Sequence, residues 1–480
     1  MPNQLGQIDH VVMLMLENRS FDQMLGFLYT PLNTSPAGDK YEGLTGNEFN
    51  LDSSGNKVPV FRIDNTLAQP YFMPGFDPGE GFLDTNQQLY GTSQVTDGTQ
   101  ATNGGFVTNF ASAIVYDQNN KRPGAIPGTQ ASDIMGMYDP SMLPVMTALA
   151  RNYAVCDHWY SSVPTETYPN RAFALTGTSL GHLKDDFQIL NTPSIFGRMS
   201  DAGLDWAAYG YNSTPYVRTD YPDTKAAAAS HFGKFSDFQQ SAANGTLPPF
   251  TFLEPEWGET GNSQHPVMDV ALGEKFIYDV YTALQTGKNW NSTLFILTYD
   301  EHGGNYDHVA PPTNATPPDN FRGDVDHLNF DFTRFGVRVP ALLISPLIKA
   351  GTVFNSSGAV PIDHTSVLAT LRERWPQIQS LTKRDAAAPS LGDALQLAAP
   401  RTDNPLAEVT PPVSGQMAPN AGQPSKLQVL QAAKVANLSV PNLHGTYSHV
   451  QPPLGSANAT AEYIRDRTAA WEDYQRRTRR

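Results

Sequence analysis

The stretch VVMLMLENRSFD, residues 11–22, constrains this chain more than any other. Six apolar residues run unbroken from Val11 to Leu16 and stop at polar ones, which predicts a short strand buried on both faces. Glu17, Asn18 and Arg19 then stand at its carboxyl tip, where layered α/β domains gather their ligands. A second stretch repeats the pattern. TLFILTYDEHGG, residues 293–304, is an apolar strand ending in Asp300 and Glu301, followed by two glycines that allow close backbone approach. Tyr153 to Cys156 and Val339 to Ile344 read as further strands, and Ser141 to Asn152 and Gly273 to Leu284 as helices. The alternation predicts an α/β fold with a mostly parallel sheet and helices on both faces.

Residues 29–130 are dense in Gly, Pro, Asn, Asp and Thr with little periodicity, and read as a long insertion that folds over the sheet as a lid. With it, residues 1–384 form the expected catalytic domain. An Ala- and Pro-rich connector follows at 385–425, then a C-terminal helical extension at 426–480 ending in Arg476, Arg477, Arg479 and Arg480. The formal charge of −15 excludes nucleic acid as a partner, since no basic face can neutralise a run of phosphates. The single cysteine, Cys156, excludes an intrachain disulfide. No run is apolar enough to span a membrane, and the N-terminus lacks the order of a signal peptide. The expected location is the cytoplasm, or outside it by a signal-independent route or through a removed leader.

Chemistry is expected where the two strand tips meet. Asp300 and Glu301 repel each other unless a cation or proton lies between them. Together with Glu17 and Asn18 they offer hard oxygen ligands suited to one divalent metal, with calcium, zinc and manganese all compatible. A nucleophile is offered by SVPTETYPNRAFALTGTS. Pro169 fits the first turn of a helix stopped by Gly177, which puts Thr167 near a helix N-terminus that favours an anion. The competing reading is that Thr167 or Thr165 only caps that helix; for Ser20 and Asp22, helix capping is the expectation.

ENRSFD at 17–22, TYPNR at 167–171 and DEHGG at 300–304 occur in the order of the motifs of the bacterial phospholipase C and acid phosphatase family. The resemblance spans roughly residues 8 to 375 and includes the plant non-specific phospholipases C. It implies an alkaline-phosphatase-like core holding one metal. Glu17, Asn18, Asp300 and Glu301 would be ligands, and Thr167 the metal-bound nucleophile that forms a phospho-threonine. His265 and His364 match the family's site histidines and are expected to serve the phosphate or the leaving group. Asn18, His302 and Arg171 are expected near the phosphate, with bracing roles in competition for His302 and Arg171. One departure concerns the insertion, where family members often have a histidine and this chain has Glu80, in FDPGEGF. A protonated Glu80 would donate to the leaving oxygen; an ionised one would repel phosphate and attract a cationic head group. The implied activity is a metal-dependent phospholipase C giving diacylglycerol and a phosphorylated head group. Acid phosphatase activity is the alternative, and a binding member without turnover the remote one. Tyr71, Phe72, Met73 and Phe76 are expected either to make transient contact with a membrane surface or to form a packed lid core.

Overall fold

The computed structural model describes residues 3–478 except 96–97, 121–124, 187–189, 259, 324, 357, 419–421 and 441–450. Its centre is an eight-stranded sheet built from β1 (His10–Leu16), β2 (Ala154–Val155), β3 (Trp206–Gly210), β4 (Phe232–Lys234), β5 (Phe250–Glu254), β6 (Thr293–Tyr299), β7 (Ala341–Ile344) and β8 (Thr352–Val353). The order across the sheet is β8-β2-β7-β6-β1-β5-β3-β4, and only β7 runs against the rest. Val11 to Leu16 and all of β6 are buried, so both faces of the sheet are covered, as their unbroken apolar runs require. The expected mixed α/β architecture is therefore present. β3, β4 and β5 escape the sequence reading because WAAYG, FGK and FTFLE lack a long aliphatic run.

The helices that frame the site are α1 (Phe21–Leu25), α2 (Phe82–Tyr90), α3 (Phe106–Asn120), α4 (Pro144–Asn152), α5 (Thr167–Thr176), α6 (Val270–Gln285), α7 (Thr365–Arg374), α8 (Lys426–Ala436) and α9 (Ala457–Thr478). β1 pairs with β6 from His10 opposite Thr293 to Leu16 opposite Tyr299. The next residue on each strand is therefore Glu17 and Asp300. Register alone brings the two polar tips together.

Within the insertion, α2 and α3 pack around Phe76, Leu89, Phe106 and Phe110, a cluster separate from the main core. The two helices escape detection in a turn-rich segment, and α2, FLDTNQQLY, carries more polar than apolar residues. The aromatic group expected to meet a membrane is turned inward: Phe72 and Phe76 are buried, and Tyr71 and Met73 pack against the core. The grouping packs as the lid-core reading has it, since burying these rings gives more than an exposed grouping in QPYFMPGF would. The residues read as a connector are also bound to the core, with Leu391, Leu395 and Leu406 in the main cluster and Gln396 and Leu397 N–H groups donating to the Leu347 carbonyl at 3.0 and 2.9 Å. α8 and α9 form their own small core of Ala432, Val435, Leu438, Ile464 and Trp471. Arg479 and Arg480 lie outside the described residues, and no described helix is long and apolar enough to cross a membrane.

Candidate active site

Asn18 is the hub of the site. Its backbone turns into the left-handed region (φ 57°), and its N–H donates to Asp300 Oδ1 at 3.0 Å, tying the tip of β1 to that of β6. The Glu301 N–H donates to the same oxygen at 2.8 Å, while Arg171 Nη1 reaches Asp300 Oδ2 at 3.2 Å. The two glycines of DEHGG explain how the loop fits: Gly303 (φ 60°) has the Asn18 carbonyl 2.1 Å from where a Cβ would stand, and Gly304 (φ 65°) has the Gly79 carbonyl at 2.5 Å. Any side chain there would push the β6 tip away from both β1 and the insertion.

Thr167 is the first residue of α5 and does not cap it. Its Oγ1 donates to Asn18 Oδ1 at 3.0 Å, and Thr165 Oγ1 donates to the Leu183 carbonyl at 2.6 Å. Asn170 fixes the entry to the helix by accepting from Val163 N–H at 3.1 Å and donating to the Thr165 carbonyl at 2.8 Å. Gly177 (φ 73°) closes the helix as expected. The Asn18 amide turns its other end to Glu80, so one side chain joins Thr167 to the insertion.

Four buried carboxylates converge on this hub. Burial pushes Glu17 up to about 7, with His265 opposing and Asp300 adding, and Asp300 up to about 6 against the pull of Arg171. Glu301 is raised well above the usual range by burial and by its acidic neighbours Glu80 and Asp300, and its Oε1 is buried with no hydrogen-bond partner. An all-oxygen set under such strain fits a cation. Among the described residues, two of the four groups whose ligand atoms lie within 4.8 Å of one another nevertheless share Glu80, with Asp77 and His265 in one and Glu166 and Asp185 in the other, while Asp22, Asp307 and His308 and His182, Asp186 and Asp326 make up the remaining two. Glu17, Asp300 and Glu301 form no such group, because Asp300 is committed to Asn18, Glu301 and Arg171.

The sequence profile described as the Phosphoesterase family matches residues 8–377. The chain belongs to the phosphoesterase family. It is therefore a phosphoric ester hydrolase. Relatives of this phosphoesterase include non-specific phospholipase C6 of Arabidopsis thaliana, 34% identical over 84% of this chain and 76% of that protein. Non-specific phospholipase C4 of the same plant is 32% identical over 88% and 78%, and phospholipase C A of Mycobacterium tuberculosis strain H37Rv 28% over 83% and 79%. Among solved structures, an alkaline phosphatase superfamily protein from Vibrio parahaemolyticus aligns over 52% of this chain and 64% of its own, at 14% identity and a TM-score of 0.30.

The histidines of the phosphoesterase divide by their partners. His265 Nδ1 is bound to the Pro266 carbonyl at 2.7 Å, which leaves Nε2 facing Asp77 at 3.9 Å and Glu80 at 4.0 Å. Burial alone would lower its pKa, but the carboxylates of Asp77, Glu17 and Glu80 carry it up to about 9. His364 differs from expectation. Its Nδ1 accepts from Trp159 Nε1 at 3.1 Å and its Nε2 donates to the Asp300 carbonyl at 2.6 Å, so both nitrogens are spent on bracing the β6 tip. His302 is likewise a brace, at 2.8 Å from Gln88 Oε1 and 3.1 Å from Glu301 Oε2, with burial holding it down to about 3. Arg171 supports the carboxylate tip and lies 4.6 Å over the Trp257 ring. Ser20 caps α1 as read from sequence, accepting from Gln23 N–H at 3.2 Å, and Asp22 instead joins Arg338 and His308.

Of the two readings of Glu80, its partners favour the anion, since Lys426 Nζ lies 2.8 Å from Oε1 and the Asn18 amide donates to Oε2. Burial opposes ionisation, but Lys426 and then His265 bring its pKa below the ordinary value. Lys426, Glu166 and Asp185 were not found from sequence. Glu166 was hidden as a neighbour of Thr167, Asp185 sits in an unremarkable HLKDD, and nothing in PSKLQVL relates Lys426 to Glu80, 346 residues away.

Proposed function

We propose that this phosphoesterase is a phospholipase C-type enzyme that cleaves phospholipids on the glycerol side of phosphorus. The products are diacylglycerol and a phosphorylated head group. The observation that carries this reading is Thr167 at the N-terminus of α5, its hydroxyl 3.0 Å from Oδ1 of Asn18, the residue whose N–H ties the β1 tip to Asp300 of the β6 tip. The naming of its relatives as phospholipases C supports the choice of substrate.

Glu17, Asn18, Thr167, Asp300 and Glu301 would hold one divalent cation. When bound, it supplies charge neutralisation and makes the threonine hydroxyl more acidic. Thr167 Oγ, having lost its proton to solvent, forms the bond to phosphorus while the bond to the glycerol oxygen breaks, leaving a phospho-threonine. The positive end of the α5 dipole favours the anion that develops there. His265 gives its Nε2 proton to the departing glycerol oxygen, and its carboxylate neighbours keep it charged at neutral pH. Water then delivers a proton back to His265 and its oxygen to phosphorus, and the Oγ–P bond breaks. The insertion, bound through Glu80 to Asn18, acts in this reading as a lid over the reacting groups.

The test is turnover of phosphatidylcholine vesicles and of p-nitrophenyl phosphorylcholine against p-nitrophenyl phosphate, with and without chelator. Diester preference and loss with chelator are expected; preference for the monoester selects the acid phosphatase alternative. Thr167→Val should lower kcat at least about 1000-fold, as removal of a covalent nucleophile does. Turnover by Thr167→Val within tenfold of the parent rejects the mechanism.

A further inference from the structure

We propose that Lys426, carried by the C-terminal helix α8, is a positioning residue of the active site whose ammonium group neutralises the carboxylates around Thr167 and lets an anionic phosphate approach. This rests on the phosphoesterase mechanism above and adds a part of the chain, outside the matched residues 8–377, to the site.

Lys426 Nζ lies 2.8 Å from Glu80 Oε1, contacts Glu166 and stands 3.7 Å from Asp185. These three carboxylates lie within 4.8 Å of one another. Each is one step from the proposed nucleophile. Glu80 accepts from the Asn18 amide that also holds the Thr167 hydroxyl, Glu166 is the residue before Thr167 at the head of α5, and Asp185 accepts from the Tyr168 N–H at 2.6 Å. Without a cation among them they would repel each other and any phosphate at the same helix end. His265 and Arg171 do not take this place, because His265 faces Asp77 and Glu80 from the other side and Arg171 is spent on Asp300.

Lys426 is held there by its helix. Ser425 and Gln428 form a reciprocal cap at the start of α8, with Gln428 N–H on Ser425 Oγ at 3.2 Å and Ser425 N–H on Gln428 Oε1 at 3.1 Å. Further along, Gln431 Nε2 donates to Thr219 Oγ1 at 2.9 Å, and Lys434 Nζ donates to Asp220 at 2.9 Å while lying 3.7 Å over the Tyr168 ring. The helix is thus clamped to α5 itself. The side chain as a whole is 45% exposed, while its ammonium is held among the three carboxylates beside the head of α5.

The experiment uses the full chain and p-nitrophenyl phosphorylcholine. Lys426→Met should lower kcat/KM by about 10- to 100-fold, the range of a lost charge-assisted contact, with a cooperative thermal melt retained. Raising salt should leave most of the gap to the parent, because the carboxylates of Glu80, Glu166 and Asp185 are buried and screened little. Lys426→Arg should restore most of the loss, and adding Glu80→Gln to Lys426→Met should recover part of it by removing one repelling charge. Lys426→Gln replaces the Met variant if that fails to fold. Activity of Lys426→Met within twofold of the parent, while Thr167→Val is dead, overturns this inference and leaves the mechanism standing. A double variant no faster than Lys426→Met overturns neutralisation as its role. Activity of Thr167→Val overturns the mechanism itself.

Discussion

Glu301 shows at the scale of one residue how this site sets function against stability. Its side chain is fully buried, one oxygen accepts from the Gly303 N–H at 2.7 Å, and the other has no hydrogen-bond partner among acidic neighbours. A carboxylate in that position destabilises the fold unless a cation is bound. Glu301→Gln should therefore raise the melting temperature of chelator-treated protein by several degrees, on the order of 1–2 kcal/mol, because the amide removes a buried charge at unchanged volume. It should also abolish the stabilisation that added divalent metal gives the parent. Melts with and without metal check both, and a lower melting temperature in chelator would mean that Glu301 is satisfied by its protein neighbours alone. Arg338 shows the opposite case, a buried charge fully paired. It lies 3.0 Å from Asp22 and 2.9 Å from Asp307, and donates to the Glu42 and Asp157 carbonyls at 2.9 and 2.8 Å. Arg338→Met should cost about 3–5 kcal/mol in urea unfolding, since two buried carboxylates lose their cation.

At the scale of elements, the meeting of α4 and α6 carries a pH dependence with a defined sign. Glu274 of α6 accepts from the Val145 N–H at 2.7 Å and the Met146 N–H at 3.0 Å, capping α4 from a neighbouring helix. Burial pushes its pKa from 4.5 to about 8, against those two donors. Between these values the folded state holds a proton that the unfolded state releases, so this group's contribution is greatest below pH 4.5 and is lost as pH rises towards 8. Glu274→Gln, which keeps one acceptor, should be less stable than the parent by about 1 kcal/mol at pH 4, and the gap should close and then reverse as pH rises towards 8, because the parent loses up to about 1.4 kcal/mol per pH unit there. A constant gap across that range in denaturant titrations would refute the assignment. The same elements mark what the sequence could disclose. β1 and β6 were legible because a strand buried on both faces must be apolar throughout, and their polar tips stood out against it. β3, β4 and β5 mix aromatic, small and polar residues, and α2 and α3 bury faces within an insertion whose turn-rich composition masks their period. Thr167 and the strand-tip residues could be read locally. His364 and His302 could not be separated from His265, because what distinguishes them is whether Trp159 and Gln88 have taken their nitrogens.

At the scale of the whole molecule, Trp471 is one of the anchors that join the C-terminal helices to the catalytic domain. Its ring is 3% exposed in the α8–α9 core, and the guanidinium of Arg218 lies 4.7 Å from it and 4.4 Å from the Phe232 ring of β4. Arg218 Nε also reaches Glu472 at 3.0 Å. The main core is a separate cluster, so loosening this anchor should release α8 and α9 without opening the sheet. Trp471→Ala removes the largest side chain of that small core and should cost about 3–5 kcal/mol locally. Hydrogen exchange should then speed up through 426–436 and 457–478 while the amides of β1 and β6 keep their protection. Because α8 carries Lys426 to Glu80, turnover should fall together with that local protection, although Trp471 does not touch the site. Uniform loss of protection across sheet and helices would mean that the extension and the phosphoesterase domain unfold as one unit; unchanged turnover with α8 fully exchanged would mean that catalysis does not depend on where α8 is docked.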